Sequence, residues 1–412
     1  MILKSITEHI WNTPLLLIPE SVHNITGVEI YAKLEYLNPF WSLKDRTALS
    51  ILKESNHKDI IESSSGNTAK ALWILTNLTG QHFTTITNRI KQKEVEDILR
   101  IIWVDIENLP PWSECPDPYD PNSPFWVIQK RIIENPWRYY WTDQYTNKNN
   151  PKIHHDTTAR EIEGDIGIPD FFFSGLGTTG SSRGIIEYFD EKWWDMQSIG
   201  IITTAWSYIP WIRNSHEMED VWLFMKKYYA RIIPINDQDA IDGMLTLVKK
   251  CGMIVWPTTW AVYHGILAYL RSLDPEKLRW KKIVFIACDR MEPYTSYIRE
   301  KRPAIFVSWK EDIQKPTFLW EWKTIRKEQM KNFSYLLIDM RSYKSYDFEH
   351  IPWSISFPFS KLQEYLTDNY LPFPKETPLL FICPFWEESM LMSQIANGLW
   401  YESYSLEWWL HW

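Results

Sequence analysis

Glycine is in short supply. The 412 residues include 14 of it, where ordinary usage of about 7% would give roughly 29. A chain so poor in the residue that most readily takes positive φ has few places for tight turns or backbone cradles, unless another residue stands where glycine is wanted. Cysteine is sparse too. Cys115, Cys251, Cys288 and Cys383 form no Cys-x-x-Cys pair and no metal-ligand spacing, which excludes a disulfide framework and fits a reducing compartment. The ten histidines form no His-Glu-x-x-His motif, and His154-His155 is expected on a polar helix edge, so no metal is expected. No apolar run approaches the roughly 18 residues of a membrane span. Residues 1–10 carry Lys4, Glu8 and His9 where a signal peptide would have its apolar stretch. The cytoplasm is the expected location, with no membrane partner. Lys+Arg 44 against Asp+Glu 52 gives a net charge of -8, which argues against nucleic acid as the main partner.

Tryptophan is in excess, with 25 residues. Several stand in turn contexts: Trp11 before Asn12-Thr13-Pro14, Trp353 after His350-Ile351-Pro352, and the pair Trp408-Trp409. Positive φ or close packing at such places normally excludes a large side chain. One reading is a tryptophan-rich or altered sequence. The other is a gene in which UGA encodes glycine, translated with UGA read as tryptophan. Under the second reading most of these tryptophans stand for glycine, and the glycine count becomes ordinary.

Short β-branched runs alternate with helical stretches, the pattern of a parallel sheet covered by helices. Strands are expected at residues 29–33, 59–63, 81–87, 170–173, 198–203, 254–255 and 283–287. Helices are expected at 68–77, 91–101, 157–165 and 239–250. The Pro- and Asp-rich residues 110–124 read as a surface connection. A chain of this length needs more than one core. Residues 301–330 read as a linker, and 331–412 as a second, small α/β domain with strands at 335–338, 354–357 and 379–383 and a helix at 387–399.

Besides the Lys44 segment, four constellations could carry chemistry. Lys44, in Ser42-Leu43-Lys44-Asp45-Arg46, follows the strand-like residues 28–34 and opens the helical residues 47–54. A lysine there can be desolvated, lose its proton and form a Schiff base with an aldehyde cofactor; a solvated helix start is the plain alternative. Ser63-Ser64-Ser65-Gly66-Asn67-Thr68 runs from a strand into a helix, so free N-H groups and hydroxyls could cradle a carboxylate, or merely cap the helix. Residues 174–184 place Gly177, Thr178, Thr179, Gly180 and Ser181 at a strand-to-helix turn, a cup for phosphate or simply tight packing. It lacks the lysine of an ATP-binding P-loop. The third strand end, Trp256-Pro257-Thr258-Thr259-Trp260, offers a hydroxyl that could meet a heterocyclic nitrogen.

Together these motifs resemble the fold-type II pyridoxal-phosphate (PLP) enzymes of the cysteine synthase and cystathionine β-synthase family, over about residues 8–300. Asn12-Thr13-Pro14-Leu15, Lys33-Leu34-Glu35 with Asn38-Pro39, and the Lys44, Asn67, Gly177 and Thr258 motifs stand in the family's order. The resemblance implies an α/β enzyme with two open α/β subdomains over residues 1–300. It makes Lys44 the Schiff-base lysine and gives Asn67 the cofactor's phenolic oxygen. Gly177 to Ser181 take the phosphate, and Ser64, Ser65 and Thr68 take the substrate carboxylate. A neutral hydroxyl such as Thr258 at the pyridine nitrogen leaves the ring a weaker electron sink than an aspartate would, which favours loss of a β-substituent. Lys44 would take the α-proton, and a nucleophile such as sulfide would then add. Trp11, Trp41, Trp206, Trp211, Trp256 and Trp260 depart from the pattern where the family has or best tolerates glycine. Taken as genuine, Trp41 and Trp260 are expected to crowd the cofactor. Cys288-Asp289-Arg290 looks characteristic of a subgroup, with a structural role for Cys288.

The fourth constellation is Cys383-Pro384-Phe385-Trp386-Glu387-Glu388-Ser389, between a buried strand and a helix. A thiol over a helix N-terminus has a lowered pKa and a seat for an anion or persulfide. With Leu337-Ile338-Asp339, His350-Ile351-Pro352 and the Trp408-Trp409 region, and with Trp353, Trp386, Trp408 and Trp409 read as glycine, residues 331–412 resemble a rhodanese domain whose sulfur carrier would be Cys383. Glu388 replaces an arginine that such loops often carry. The whole reads as a cysteine synthase-like β-replacement enzyme acting on small amino acid and sulfur substrates, expected to be a homodimer. Cystathionine synthesis, serine or threonine dehydration and cysteine desulfuration remain open on the same scaffold. So does a non-catalytic sulfur relay or regulatory protein, should the tryptophans be genuine.

Overall fold

A computed structural model describes residues 2–88, 90–109, 123–192, 195–204, 207–215, 217–218, 221–306, 324–326, 330, 334–348, 350–366, 370–383 and 386–407. Trp206, Trp408, Trp409, most of the expected surface connection at 110–124 and most of the expected linker lie outside them. The chain divides into two compact units, residues 1–109 with 127–307, and residues 110–126 with 308–412.

The first unit holds two sheets. The larger runs in the order β1 (Leu15–Ile18), β2 (Val28–Lys33), β10 (Lys281–Ile286), β7 (Phe171–Gly175), β8 (Gln197–Thr203), β9 (Arg231–Ile235). Only β1 pairs antiparallel. The smaller is parallel, in the order β5 (Asp105–Asn108), β4 (His82–Thr87), β3 (Asp59–Glu62), β6 (Tyr139–Trp141). Central strands such as Phe171-Phe172-Phe173 and Ile199 to Ile202 are buried on both faces, as parallel strands covered by helices must be. The chain crosses repeatedly between strands, so strand C-termini and helix N-termini gather at one edge of each sheet, where such folds bind ligands.

Most expected elements are present, and three differences are instructive. Residues 254–255 form no strand: Val255 makes a single bridge to Arg290, and Pro257 opens the helix Pro257–Arg271 instead. Proline suits a first helical position, and this helix is buried nearly all round, so it carries little periodic signal. Strands β1, β5, β6 and β9 pass unnoticed in the sequence; Asp105–Asn108 is a polar edge strand with no hydrophobic alternation. His154 is not on a polar edge. It lies buried in a π-helical turn, His154–Ala159, between the hydroxyls of Thr47 and Thr158 at 3.2 and 3.0 Å, and burial holds its pKa well below the ordinary value.

A buried ionic cluster fastens this unit around the Lys44 segment. Arg46, fully buried, donates through Nε and Nη2 to Glu35 at 2.8 and 2.9 Å and through Nη1 and Nη2 to Glu161 at 2.6 and 2.7 Å. Lys33, the last residue of β2, pairs with Glu161 at 2.8 Å. The Thr13 hydroxyl and the Asn38 amide donate to Glu35 at 2.6 and 2.9 Å. Two cations face two carboxylates, each with further hydrogen bonds, the condition under which buried charge is tolerated. Burial pulls the Glu161 carboxyl upward, but Arg46 and Lys33 outweigh it and bring it down to about 2.

The second unit carries a parallel five-stranded sheet, β11 (Thr324–Arg326), β15 (Ser403–Glu407), β14 (Leu379–Ile382), β12 (Leu336–Asp339), β13 (Ile355–Ser356). Buried Cys383 follows β14 directly. Residues 384–385 of its loop lie outside the described residues, and the helix Trp386–Gly398 comes next. No helix among the described residues is long and apolar enough to cross a membrane.

Arg46→Ala leaves two buried carboxylates facing one lysine and is expected to cost about 3–5 kcal/mol, read from the urea midpoint. Arg46→Lys, which lacks the fork that engages both carboxylates, is expected to lose a substantial part of the same stability.

Candidate active site

Lys44 is the first residue of the helix Lys44–Leu52, and the turn before it is locked from within. The Phe40 N-H and the Ser42 hydroxyl donate to the Asp45 carboxylate at 2.7 and 3.1 Å, and burial pushes that carboxyl up to about 7. The Leu43 N-H donates to the Cys288 carbonyl at 2.9 Å. Burial lowers the Lys44 amine below the ordinary lysine range, with Cys288 and Asp289 opposing. A lysine so placed is neutral over more of the pH range, the state in which it can act as nucleophile or base.

Cys288-Asp289-Arg290 acts as a strap. Ser42 bridges to Asp289 and Val255 to Arg290, the Trp256 N-H donates to the Asp289 carbonyl at 3.1 Å, and the Cys288 N-H donates to the Thr259 hydroxyl at 3.3 Å. The Lys44 and Thr258 segments are thereby held to one scaffold. Asp289 is the residue the sequence reading left without a role. Its carboxylate accepts from the Asn67 amide and from the Tyr294 hydroxyl at 3.3 Å, and its Oδ1 has no hydrogen-bond partner. Burial pushes the carboxyl up to about 8 against the pull of Lys70. Only adjacency to Cys288 could have flagged it.

The Ser64 motif has the expected form. Gly66 precedes the helix Asn67–Thr79, and the Ser64 hydroxyl accepts from the Ala69 N-H at 3.3 Å. The Thr68 hydroxyl donates to the Gln144 side chain at 2.8 Å, and the Gln144 N-H donates to Glu62 at 3.2 Å. Ser65 is half-buried with Ser64. Glu62 therefore props the cradle from beneath; it is buried, and its carboxyl is pushed up to about 8.

The glycine-rich turn joins β7 to the helix Gly180–Asp190. Thr179 has a φ of 61° at the helix cap, and its buried hydroxyl has no partner, an orphan that a bound oxyanion would satisfy. A Cβ at Gly180 would lie 2.1 Å from the Asn150 Oδ1 and one at Gly177 2.8 Å from the Trp211 carbonyl, so only glycine fits. Thr178 and Ser181 are half-buried beside them. Thr258, in the first turn of Pro257–Arg271, comes so near that a Cβ at Gly175 would meet its methyl at 2.4 Å.

The motifs therefore meet, and two indoles stand among them. The Trp211 ring lies where a Cβ on Gly66 would touch it at 2.8 Å, and its Nε1 donates to the Tyr294 hydroxyl at 3.3 Å. It stacks on Trp256 at 6.4 Å between centroids, and the Trp256 Nε1 donates to the Thr258 hydroxyl. The expectation that Trp41 crowds the site is corrected, while Trp260 shares its hydrophobic core with Trp256. Trp41 is half exposed, with Lys70 and Arg290 over its ring. The donor set fits PLP: a desolvated lysine, an asparagine amide, a glycine cup with an orphaned hydroxyl and a neutral hydroxyl opposite. The Trp211 and Trp256 rings take up space between those donors.

The Glu62 carboxyl gains its proton more readily in the folded chain than unfolded, where 4.5 is its ordinary value. Its contribution to stability is thus full below that pH and lost as pH rises through about 8. Glu62→Gln is expected to flatten the fall of the thermal midpoint between these limits.

The sequence pattern of the family described as "Pyridoxal-phosphate dependent enzyme" matches residues 6–289. Among curated relatives, N-(2-amino-2-carboxyethyl)-L-glutamate synthase of Cupriavidus metallidurans is 27% identical over 314 residues, 71% of this chain and 89% of that protein. Cysteine synthase B of Campylobacter jejuni is 24% identical over 311 residues, 71% and 97% of the two chains. The crystal structure of cysteine synthase from Entamoeba histolytica superposes with a TM-score of 0.63 at 26% identity, covering 73% of this chain and 91% of that one. The chain belongs to the pyridoxal-phosphate-dependent enzyme family and is an enzyme of its cysteine synthase type, acting with pyridoxal phosphate on small amino acid substrates.

Proposed function

We propose that the enzyme replaces the β-substituent of an activated serine, which leaves with its bonding electrons, with sulfide as the nucleophile to give cysteine, or with sulfane sulfur as a hydropersulfide anion to give cysteine persulfide. One observation carries this reading: a lysine amine lowered by burial is tied through the 288–290 strap to the first turn of the helix Pro257–Arg271, where Thr258 offers a neutral hydroxyl that would not force protonation of a ring nitrogen. Bound PLP supplies withdrawal of electron density from the α-carbon of the amino acid. Lys44 takes and holds the α-proton at Nζ. Ser64, Ser65 and Thr68 bind the carboxylate and fix which α-bond faces Lys44. Asn67, steadied by Asp289, would hold the cofactor's phenolic oxygen, residues Gly177, Thr178, Thr179, Gly180 and Ser181 would hold its phosphate, and Thr258 would offer its hydroxyl to the ring.

The second unit, read as a rhodanese-like domain over residues 331–412 beyond a linker at 301–330, would carry sulfur on Cys383. A buried cysteine between a parallel strand and a helix start supports that part. A homodimer rests on the family likeness alone, and a cytoplasmic location on the sequence reading alone. The N-(2-amino-2-carboxyethyl)-L-glutamate synthase relative favours a second reading, in which an amino acid amine takes the place of sulfide.

The PLP-loaded enzyme is to be mixed with O-acetylserine, O-phosphoserine, serine or cysteine, each with sulfide or glutamate, and the products identified. Cysteine formation from an activated serine is expected, lost entirely in Lys44→Ala. Absence of β-replacement with every pair would sink the reading. Cys383→Ser is expected to abolish sulfur transfer from thiosulfate or a persulfide while leaving replacement by free sulfide intact.

A further inference from the structure

Eleven non-glycine residues among those described have positive φ, and seven are tryptophan: Trp41, Trp103, Trp137, Trp211, Trp280, Trp353 and Trp400, at 64° to 72°. The positive-φ glycines Gly27, Gly80, Gly167 and Gly252 lie at 65° to 73°, in the same well. Residues with a Cβ visit this region rarely, and those that do are mainly Asn and Asp. Three of the other four are Asn12, Asn24 and Asp143. Tryptophan has no local hydrogen bond to offer in exchange.

Hydrogen bonds show what these positions are for. Past the helix Asn67–Thr79, the Gly80 N-H donates to the Asn77 carbonyl and the Gln81 N-H to the Thr76 carbonyl, the paired closure in which glycine takes the left-handed place. Past Lys93–Ile101, the Trp103 N-H donates to Arg100 and the Val104 N-H to Leu99. Past Trp386–Gly398, the Trp400 N-H donates to Asn397 and the Tyr401 N-H to Ala396. Trp103 and Trp400 occupy the place of Gly80 in the same motif, with side chains 85% and 87% exposed. Neither packing nor a contact accounts for indoles left in water there.

The cofactor seat repeats the pattern. Trp211 combines left-handed backbone with a ring pressed on Gly66. The Trp256 ring centroid lies 3.1 Å from that of Tyr294, well inside the roughly 4.5–7 Å at which aromatic pairs settle. As the residue before Pro257, position 256 caps a helix, a place glycine fills well. We propose that the working protein carries glycine at the seven left-handed tryptophan positions and at position 256, and that glycine at 211 and 256 opens the seat between Gly66, Gly177 and Thr258 to the cofactor. Glycine encoded by UGA would place it there. Loss of the Trp256 indole also releases the Thr258 hydroxyl for a ring nitrogen. Only the seat rests on the PLP reading; the helix ends stand apart from it.

Peptide mass spectrometry of the protein from its native source is expected to find glycine at positions 103, 211, 256 and 400; tryptophan there overturns the proposal. In the chain as written, Trp103→Gly and Trp400→Gly are each expected to raise the thermal midpoint, and an unchanged or lower midpoint overturns the argument from the helix ends. In that double background, Trp211→Gly with Trp256→Gly is expected to take up PLP, seen as a visible absorbance band that borohydride fixes to Lys44. Equal uptake with both indoles retained overturns the claim about the seat. PLP uptake without turnover of any amino acid would leave this inference standing and remove the proposed β-replacement.

Discussion

The ionic cluster of Lys33, Glu35, Arg46 and Glu161 is the constraint on which the rest depends. It joins the end of β2, the turn after it, the Lys44 helix and the helix Arg160–Ile166 through charges that, Glu161 apart, are fully buried. A guanidinium shared by two carboxylates fixes direction as well as distance, because its donors lie in one plane. Two residues before it on the same helix, Lys44 inherits that precision. The burial that makes the cluster costly also lowers the Lys44 amine toward its reactive form, so the scaffold and the chemistry draw on the same absence of solvent.

Around this anchor the site is assembled by close approach more than by long-range attraction. Gly175, Gly177 and Gly180 let a threonine, a carbonyl and an asparagine come within distances that any side chain would forbid. The Cys288-Asp289-Arg290 strap then ties the Lys44 turn to the Pro257–Arg271 helix. An architecture that depends on missing side chains is sensitive to indoles placed among them, and Trp211 and Trp256 stand at that point. The same sensitivity recurs at the helix ends, where Trp103 and Trp400 are held in backbone that a Cβ disfavours.

The second unit follows a simpler logic. Its sheet is parallel throughout, so β14 must end at the same edge where a helix begins, and Cys383 falls on that edge. The side chains that follow it, from Pro384 to Glu388, are outside the described residues.

The sequence by itself determined the family and pointed to the candidate site residues. Lys44, Asn67, the 177–181 turn and Thr258 stand in short motifs whose residue types reflect local backbone geometry, and local geometry is what a sequence encodes most directly. It also flagged tryptophan as standing where glycine belongs, from turn context alone. Tertiary structure alone decided which elements meet. Asp289 gains its place from a strap crossing two segments more than two hundred residues apart in the chain, and Glu62 from a partner at Gln144. His154 became a buried group because Thr47 covers it. Which indoles invade the seat was likewise legible only in space: Trp256 and Trp260 are equally near Thr258 in sequence, but it is Trp256, with the distant Trp211, that points among the site residues, because side-chain direction is set by the packing of whole elements and not by proximity along the chain.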